Sequence, residues 1–357
     1  MEAKKRKLES EAQALPESKK PKAKQLTLNP AASTKHYNHY DYTIEDLDDI
    51  LSLANFYTSK EFDKTKHSNI PFYTIHRLKK PLEKLKYMVG LRNLKKEILS
   101  LIVYYLQQFD GENQDMLHTV VYGGPGVGKT KFINILADIY ACLGVLPSRK
   151  VTFAKRADLI GQYLGQTAIK TKQLLEDAKG GILVIDEAYS LGDTEQRDSF
   201  SKECIDTINQ SLSENKKDLI CVIAGYKEDL EKRFFKSNPG LQRRFPFKFT
   251  IPDYSPKELR EIFYSIVKEN GWKIEETAIS EQLLQEHREC FEFNGGDMET
   301  LFTRTKFIHS LRVFSCPKKE KKTITKEDFE KALKEFVNSD HIKEKKGTVD
   351  FMKSLYV

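Results

Sequence analysis

The sequence lacks paired cysteines and long apolar runs. Its five cysteines are scattered and form no C-x-x-C pair, which argues against a disulfide framework and a zinc site and favours a reducing compartment. The first residues carry charges where a signal peptide would have its apolar core. Apolar runs such as Ile98–Leu106 are much shorter than the roughly 20 residues that cross a bilayer. We therefore expect an intracellular protein with no membrane-spanning segment.

The body of the chain also lacks a strong excess of one charge. The 357 residues carry a formal net charge of +7. Residues 1–25 contain eight Lys or Arg and four Glu, a net charge of +4, which leaves +3 for the other 332 residues. Such a balanced body is weak support for a fold that binds nucleic acid. Binding to nucleic acid stays open but is not favoured.

The basic residues near the start form two clusters, Lys4–Lys7 and Lys19–Lys24, with 11 residues between them. This spacing resembles a bipartite nuclear import signal, which an import adaptor reads as an extended charged peptide. A merely solubilising tail explains the charge equally well. The tail lacks the aromatic residues that stack on single-stranded nucleic acid. We expect a location in the nucleus or the cytoplasm.

Composition and periodicity divide the chain into five parts. Residues 1–41 are polar and lack hydrophobic periodicity, which predicts a disordered basic tail. Residues 42–71 contain an amphipathic helix capped by Thr43, with Asp46 as the capping partner, and then a polar linker. The remaining parts are an α/β domain at 72–251, a smaller all-α domain at 252–340 and a C-terminal tail at 341–357.

Alternation of apolar runs and helical segments predicts the α/β domain. Between residues 116 and 250 the pattern is typical of a parallel sheet covered by helices on both faces. A helical stretch from Leu78 to Phe109, with a break at Val89-Gly90, comes before it. Helix starts at Ser255 and Thr325 indicate the all-α domain. The predicted strands are Thr119–Tyr122, Lys150–Phe153, Gly181–Ile185 and Leu219–Ala224, and the predicted helices are Lys131–Leu143, Thr167–Ala178 and Ser201–Glu214.

A phosphate-binding loop follows the first of these strands. Gly123-Gly124-Pro125-Gly126-Val127-Gly128-Lys129-Thr130 fits the pattern G-x-x-x-x-G-K-[ST] between a strand and a helix. Glycines let backbone N–H groups turn towards phosphate oxygens, and the helix N-terminus favours negative charge. We expect Lys129 to reach the β- and γ-phosphates of ATP and the Thr130 hydroxyl to bind Mg²⁺.

Two carboxylates follow the apolar strand Gly181–Ile185. Asp186 and Glu187 stand at its carboxyl end, the edge at which parallel sheets bind ligands. We expect Asp186 to hold the metal shell through water, and Glu187 to orient and deprotonate the water that attacks the γ-phosphate. Two acids after a strand also occur by chance, but here two βα units separate them from the phosphate loop.

A cation is still needed to stabilise charge on the transferring phosphoryl group. Arg243 and Arg244 are the best candidates for an arginine finger, which typically contributes about 10³–10⁵ in rate. They lie in the sequence Asn-Pro-Gly-Leu-Gln-Arg-Arg-Phe near the end of the α/β domain. An exposed basic pair with no catalytic role is the alternative.

Several segments together resemble the AAA+ ATPases, in particular the CbbX/CfxQ-like branch that includes red-type Rubisco activases. They are the phosphate loop, GGILVIDEAYSL, VIAGYKEDL and NPGLQRRFPFKFTIPDYSPKEL, and the resemblance covers Leu82 to Arg312. It implies a P-loop ATPase domain followed by a helical lid domain. It also implies a ring, usually of six subunits, that uses ATP to remodel a substrate.

The resemblance assigns roles to individual residues. The Walker A lysine falls on Lys129 and the Walker B acids on Asp186 and Glu187. The arginine finger falls on Arg244, with Arg243 second, and in this family it acts on ATP held by the neighbouring subunit.

Two further segments match the family. Val89 and Gly90 resemble the adenine-pocket segment that leads into the large domain. Tyr163, Leu164 and Gly165 resemble the first pore loop, in which an aromatic side chain grips an extended polypeptide without regard to its sequence. A tyrosine buried in the core is the alternative for Tyr163.

Two positions depart from the family pattern. Gly225-Tyr226-Lys227 stands where many AAA+ proteins place a polar sensor 1 residue. Glu299 stands where a sensor 2 arginine is common. Arg304, further along the same helix, is either a substitute or a solvated residue. Neither sensor is assigned from the sequence.

Together these features predict a remodelling ATPase that forms a homo-oligomeric ring and pulls on a protein substrate through a central pore. ATP and Mg²⁺ are the expected cofactors, and six subunits are expected. Two alternatives stay open: a nucleic-acid-associated motor or loader, and a nucleotide-gated scaffold with little turnover.

Overall fold

The computed structural model describes residues 26–111, 115–163, 165–192, 198–214, 218–315, 317 and 321–339. Both basic clusters, the tail at 341–357 and Leu164 lie outside these residues. None of the helices described there is long and apolar enough to cross a membrane.

Short strands precede the first helix. β1 (Thr27–Leu28) pairs antiparallel with β3 (Tyr40–Asp41), and β2 (Tyr37–Asn38) pairs parallel with β4 (His67–Ser68). The Asn69 side chain accepts from the Tyr40 N–H at 2.8 Å and donates to its carbonyl oxygen at 2.9 Å. The predicted tail boundary at residue 41 was therefore too late, since residues 26–41 contain three short paired strands. Strand pairing and the buried Tyr40 hold these segments. Strands of two residues are too short to show the periodic apolar pattern from which a strand is predicted.

Helix α1 (Leu47–Phe56) begins later than predicted. Asp46 is its N-cap and accepts from the Asp49 N–H at 3.0 Å, while the Asp49 carboxylate accepts from the Asp46 N–H at 3.2 Å. The predicted cap at Thr43 was wrong, because Asp46 and Asp49 have the same three-residue spacing and make the reciprocal cap one turn later.

The next two helices are α2 (Phe72–Tyr87) and α3 (Arg92–Leu106). Between them, Gly90 and Leu91 have φ values of +65° and +60°, which confirms the predicted break at Val89-Gly90. Helix α2 begins before the predicted Leu78, contains Pro81 in its interior and packs against α1.

Five parallel strands form the central sheet, in the order β6-β7-β8-β5-β9. This confirms the predicted parallel sheet, and each predicted strand is displaced by at most one residue. Strand β9 was not predicted, because its residues alternate between buried and exposed positions at the sheet edge. The strands are β5 (Thr119–Tyr122), β6 (Val151–Ala154), β7 (Ile182–Asp186), β8 (Ile220–Gly225) and β9 (Phe247–Thr250).

Helices cover both faces of this sheet. Val120 and Val121 are neighbours in β5 but belong to different buried clusters, one on each face. The helices are α4 (Lys129–Leu143), α5 (Arg156–Leu159), α6 (Gln166–Asp177), α7 (Ser199–Glu214) and α8 (Pro239–Gln242). Shorter helical segments are the 3-10 turn Ala188–Leu191, the turn Lys227–Asp229 and the π-helical Leu230–Phe235.

The second domain is mostly helical. Its helices are α9 (Pro256–Glu269), α10 (Glu281–Glu286), α11 (Gly295–Arg312) and α12 (Lys326–Val337), with a 3-10 turn at Arg288–Cys290. Reciprocal caps at Ser255 with Glu258 and at Thr325 with Asp328 confirm both predicted helix starts. The all-α expectation was wrong in one detail, because β10 (Lys273–Ile274) pairs in parallel with β11 (Thr323–Ile324). Two-residue strands are too short to produce a periodic pattern.

Candidate functional site

The phosphate loop leaves the carboxyl end of β5 and enters α4. The Gly123 N–H donates to the Gly225 carbonyl at the end of the neighbouring strand β8, at 3.1 Å. Gly126 and Gly128 have φ values of +68° and +95°, which residues with a side chain rarely adopt. The loop therefore requires glycine at both positions. The first N–H groups of α4 lack intrahelical acceptors, so they are available to phosphate oxygens.

A cavity of about 490 Å³ opens beside this loop. Its volume suits a nucleotide, because small-molecule sites in proteins are typically about 300–1,000 Å³. The α/β domain contributes the predicted site residues Val89, Pro125, Gly126, Val127, Gly128, Lys129, Thr130, Asp186 and Glu187. The second domain contributes Tyr254, Ile262, Ser265, Ile266, Glu269, Gly295, Gly296 and Glu299. The structure thus brings most of the predicted nucleotide site together between the two domains.

Three of the predicted cofactor-binding glycines do not line this cavity. Gly123 and Gly124 offer their carbonyl oxygens to Lys129. Gly90 lies against Glu258, whose Oε1 would be 2.3 Å from a Cβ atom added at that position. Gly90 therefore shapes the turn beside the cavity, whereas its neighbour Val89 lines it.

Lys129 is folded back onto its own loop. Its Nζ donates to the carbonyl oxygens of Gly123 at 2.9 Å and Gly124 at 2.8 Å. Burial lowers the pKa of Lys129, and the charges of Asp186 and Glu187 act in the opposite direction. A phosphate group that enters the cavity would compete with two neutral carbonyl groups for this ammonium.

Asp186 and Glu187 end strand β7 at the cavity. Asp186 Oδ1 accepts from the Glu187 N–H at 3.1 Å, and Glu187 has a left-handed φ of +53°. Such a backbone is uncommon for a residue with a side chain and is found disproportionately at functional sites. Burial raises the pKa of Glu187, and the adjacent Asp186 charge raises it further. A carboxylate with a raised pKa is a better proton acceptor at neutral pH.

The donor set fits magnesium better than a transition metal. Thr130 and Asp186 supply a hydroxyl and a carboxylate, the hard oxygen ligands that Mg²⁺ prefers. The part of the chain that the structure describes contains no group of three His, Cys, Asp or Glu side chains that would hold a metal alone. A Mg²⁺ ion here would therefore share nucleotide phosphates and water, as is usual for this ion.

The lid side of the cavity is joined to the phosphate loop by direct hydrogen bonds. The Tyr254 hydroxyl donates to the Val127 carbonyl at 2.8 Å, and the Gly295 N–H donates to the Gly126 carbonyl at 3.1 Å. Asn294 is buried next to these contacts and fixes the segment that contains Tyr254. It donates to Asp253 Oδ1 at 2.9 Å and accepts from the Tyr254 N–H at 3.1 Å. Sequence reasoning missed these residues. Their only signal was the position of Tyr254 just before the cap of α9.

The two unassigned sensor positions differ in their placement. Glu299 lines the cavity from the first turns of α11. Arg304 does not line it, and its guanidinium lies 5.8 Å from the centre of the Phe336 ring. Arg304 instead lines an adjoining cavity that shares Gly296 and Glu299 with the nucleotide cavity. Its role as a substitute for a sensor arginine therefore stays a prediction. The lid presents a carboxylate to the nucleotide site where a guanidinium is common.

Tyr226 follows β8 near the unassigned sensor 1 position. Its pKa is raised, first by partial burial and next by the charge of Glu187. The tyrosine therefore lies in the electrostatic field of Glu187, although it does not line the cavity. Sensor 1 stays unassigned.

Arg243 and Arg244 do not line the cavity of their own chain. Arg244 is half-buried, and its Nε donates to Ser213 Oγ on α7 at 2.8 Å. One of its terminal nitrogens donates to the Gly240 carbonyl, also at 2.8 Å. Arg243 is exposed. The two arginines therefore differ: Arg244 is bound to its own subunit, and Arg243 faces solvent.

The Tyr163 side chain is 68% exposed in the loop between α5 and α6. The alternative of a buried core tyrosine is therefore wrong. Gly165 has a φ of +81° and ends the loop, and Gly161 begins it with its N–H donating to Thr167 Oγ1 at 3.1 Å. The start of the loop is thus fixed to α6, and the Tyr163 side chain lies in solvent.

Both domains match known family models. The α/β domain matches the ATPase family associated with various cellular activities (AAA) over residues 119–253, and the second domain matches the AAA lid domain over residues 255–339. A mutant RuvB from Thermotoga maritima has a similar fold, with a TM-score of 0.50 at 18% identity, over 72% of this chain and 73% of that one.

Curated relatives narrow the family. The chain is 39% identical to a putative CfxQ-like protein of Acanthamoeba polyphaga mimivirus over 75% of its own length and 66% of that protein. It is 35% identical to stage V sporulation protein K of Bacillus subtilis, over 57% of its length and 65% of that protein. It thus spans slightly less than two thirds of these two relatives. It is 34% identical to the chloroplastic ribulose bisphosphate carboxylase/oxygenase activase of Cyanidioschyzon merolae over 65% of its length and 82% of that protein. The chain belongs to the CfxQ-like family of AAA+ ATPases.

Proposed function

We propose that this ATPase forms a homo-oligomeric ring and couples ATP hydrolysis to pulling on a protein substrate through the Tyr163 loop. The observation that carries the proposal is the division of the site. One cavity contains Lys129, Thr130, Asp186 and Glu187, while Arg243 and Arg244 lie outside it in the same chain. A complete hydrolytic site then needs an arginine from a second copy.

The cavity residues supply the other parts of phosphoryl transfer. Mg²⁺, when bound through Thr130 and Asp186, would neutralise charge on the phosphates. Lys129 exchanges its bonds to Gly123 and Gly124 for phosphate oxygens. Glu187 accepts a proton from water as the water oxygen bonds to the γ-phosphorus and the bond to the bridging oxygen of ADP breaks. The products are ADP and inorganic phosphate.

The exposed Tyr163 supports a protein substrate. An aromatic ring in a pore contacts extended polypeptide through apolar surface, without a requirement for a particular sequence. Nucleic acid would instead require a positively charged groove beside the ring, and the body of the chain is nearly balanced in charge. We therefore favour a polypeptide as the substrate. The test described below distinguishes it from the two alternatives, DNA binding and a low-turnover scaffold.

Glu187→Gln tests the hydrolytic assignment. The variant should bind ATP with normal affinity while kcat falls by about 10²–10⁴, the usual contribution of a general base. Glu228→Gln is a matched control, because the Glu228 side chain is 83% exposed and forms a surface pair with Lys232. Unchanged turnover in Glu187→Gln would remove Glu187 from the mechanism.

The substrate class is tested with the same proteins. ATP turnover should rise with a permanently unfolded protein and change little with single-stranded or duplex DNA. Glu187→Gln with ATP should retain the unfolded protein on a sizing column, in an assembly whose mass by light scattering gives the number of subunits. Stimulation by DNA with a steep salt dependence would favour the nucleic-acid alternative, and slow turnover under every condition would favour the scaffold.

We also propose that the two basic clusters direct the protein to the nucleus through an import adaptor. A fluorescent fusion should lose nuclear accumulation when the four basic residues of Lys4–Lys7 are replaced by alanine. Replacing four exposed lysines of the body, Lys96, Lys257, Lys331 and Lys334, by alanine is the control. Unchanged accumulation would leave the tail with a solubilising role.

A further inference from the structure

We propose that Arg156 is a positioning residue that links the turn after Glu187 to the Tyr163 loop. One terminal nitrogen of Arg156 donates to the Ser190 carbonyl and to Ser201 Oγ, both at 2.5 Å. The other donates to the Asp198 carboxylate. A single guanidinium therefore joins the start of α5, the turn after β7 and the start of α7. The proposal rests on the function proposed above for the Tyr163 loop.

The nucleotide end of this link is short. Ser190 lies in the 3-10 turn Ala188–Leu191, which directly follows Glu187. The Ser190 N–H donates to the Glu187 carbonyl at 2.9 Å. Ala188 and Leu191 are fully buried, so the turn has little freedom to deform internally. A change in the strained backbone of Glu187 would therefore displace the Ser190 carbonyl that Arg156 holds.

The Asp198 end fixes the guanidinium in place. The Asp198 carboxylate also accepts from Ser201 Oγ at 2.8 Å and from the backbone N–H groups of Phe200 and Ser201 at 3.1 and 3.2 Å, so it caps α7. Burial acts to raise the pKa of Asp198, but the hydrogen bonds from Arg156 and Ser201 outweigh it and lower the pKa to about 2. The Asp198 carboxylate is thus charged at neutral pH.

The other end of the link is the base of the Tyr163 loop. Arg156 begins the four-residue helix α5, and α6 holds this helix at several points. Lys170 Nζ donates to the carbonyl oxygens of Ala157 at 2.6 Å and Ile160 at 3.1 Å, and Thr171 Oγ1 donates to the Leu159 carbonyl at 3.0 Å. A displacement of Arg156 would therefore carry the base of the loop with it, since the Gly161 N–H is held by Thr167 Oγ1 at the start of α6. Nothing lies within 4 Å of a Cβ atom added at Gly165, which leaves room for Tyr163 to turn.

Arginine is required for this geometry. Its planar guanidinium presents several donors in fixed directions, whereas a lysine ammonium on a flexible chain does not hold three acceptors on different segments in the same way. Arg156→Lys should therefore keep the charge next to Asp198 but weaken the link to Ser190. A purely structural ion pair would tolerate that substitution well.

The test follows the Tyr163 loop directly. An environment-sensitive fluorophore is attached to a cysteine introduced by Tyr163→Cys. Of the five native cysteines, the four that the structure describes are buried and should not be labelled. The remaining one is removed by Cys316→Ser. Emission is compared with ADP and with the non-hydrolysable analogue AMP-PNP. The parent should show different emission in the two states. Arg156→Gln should lose that difference, and Arg156→Lys should retain part of it.

Two controls and one replacement variant separate the possible outcomes. Nucleotide affinity of Arg156→Gln should stay within about twofold of the parent, as for a substitution away from the site. Arg260→Gln changes another partly exposed arginine, which lies 4.0 Å from the Glu281 carboxylate, and should leave the emission difference unchanged. If Arg156→Gln does not fold, Asp198→Asn replaces it, because asparagine retains an oxygen that caps α7; its emission difference should also fall.

An emission difference that persists in Arg156→Gln, or in Asp198→Asn when that variant is used, would overturn the link while leaving the proposed function intact. A parent that shows the same emission with both nucleotides would overturn the nucleotide-driven loop, and the link with it.

Discussion

The two sides of the nucleotide cavity are built in different ways. On the α/β side, the phosphate loop and the pair Asp186-Glu187 are contiguous motifs at the ends of buried parallel strands. On the lid side, single residues such as Tyr254 and Gly295 close the cavity through hydrogen bonds to backbone carbonyls of the loop. The proposed hydrolytic groups therefore lie in one domain, and the other domain encloses them. Substitutions on the two sides should therefore have different kinetic signatures.

The largest expected effect lies outside both sides of the cavity, at the arginines. Arg244→Ala should lower kcat by about 10³–10⁵ if it is the finger, with little change in ATP affinity. Its bond to Ser213 must then break on assembly. Arg243→Ala should have the larger effect if the exposed guanidinium reaches the neighbour instead. Steady-state ATPase assays of the two variants, compared under conditions in which both assemble to the same extent, show which arginine acts as the finger. Normal turnover in both variants would remove the pair from catalysis.

A smaller effect is expected where the two sides touch. A Cβ atom at position 126 would lie 1.9 Å from the Phe293 carbonyl oxygen, so Gly126→Ala should separate the lid from the loop. We expect ATP affinity to fall by more than tenfold in an equilibrium titration. Gly144→Ala is the matched control, because Gly144 also has positive φ but nothing lies within 4 Å of its added Cβ. It should cost about 1 kcal/mol of stability and leave affinity unchanged; equal affinities in the two variants would contradict the contact.

The lid contact alone is tested by Tyr254→Phe. The variant leaves the Val127 carbonyl without its tyrosine donor, a loss of about 1 kcal/mol. KM for ATP should therefore rise about fivefold, and kcat should change little. Tyr264→Phe removes a hydroxyl that donates to the Glu276 carbonyl elsewhere in the lid and should leave KM unchanged. A fall in kcat without a change in KM would place Tyr254 in the chemical step instead.

The smallest effect concerns pH on the α/β side. Burial and the Asp186 charge raise the pKa of Glu187 above the ordinary value of 4.5. Glu187 acts as a base only when ionised, so kcat should fall as pH is lowered through this raised pKa. The fall should begin at a higher pH than an ordinary glutamate would give. The residual activity of Glu187→Gln should lack this limb, and an identical limb in that variant would assign it to another group.

The α/β side could be predicted from the sequence because its information is local. Strands β5, β7 and β8 are continuous apolar runs, and the phosphate loop has a fixed spacing set by phosphate geometry. Strand β9 was missed because an edge strand has no continuous apolar run. The start of α1 was wrong because two equivalent capping pairs overlap in the sequence.

The lid side could not be predicted in the same way. Tyr254 and Val127 are 127 positions apart, and one hydroxyl bound to a backbone carbonyl leaves no pattern in either segment. The same holds for Arg156, whose three acceptors lie on two other segments. Such contacts are a consequence of the folded arrangement. Likewise, only the structure shows that Arg244 is hydrogen-bonded within its own subunit whereas Arg243 is exposed.

A mixing experiment tests directly whether the hydrolytic site is shared between two copies. Lys129→Ala subunits retain both arginines but have a defective cavity, and Arg243→Ala/Arg244→Ala subunits retain the cavity but have no finger. Mixed rings should contain cavities with all their parts, so ATP turnover of the mixture should clearly exceed the sum of the two separate variants. Turnover equal to that sum, in mixtures that assemble like the parent protein, would contradict a site shared between copies.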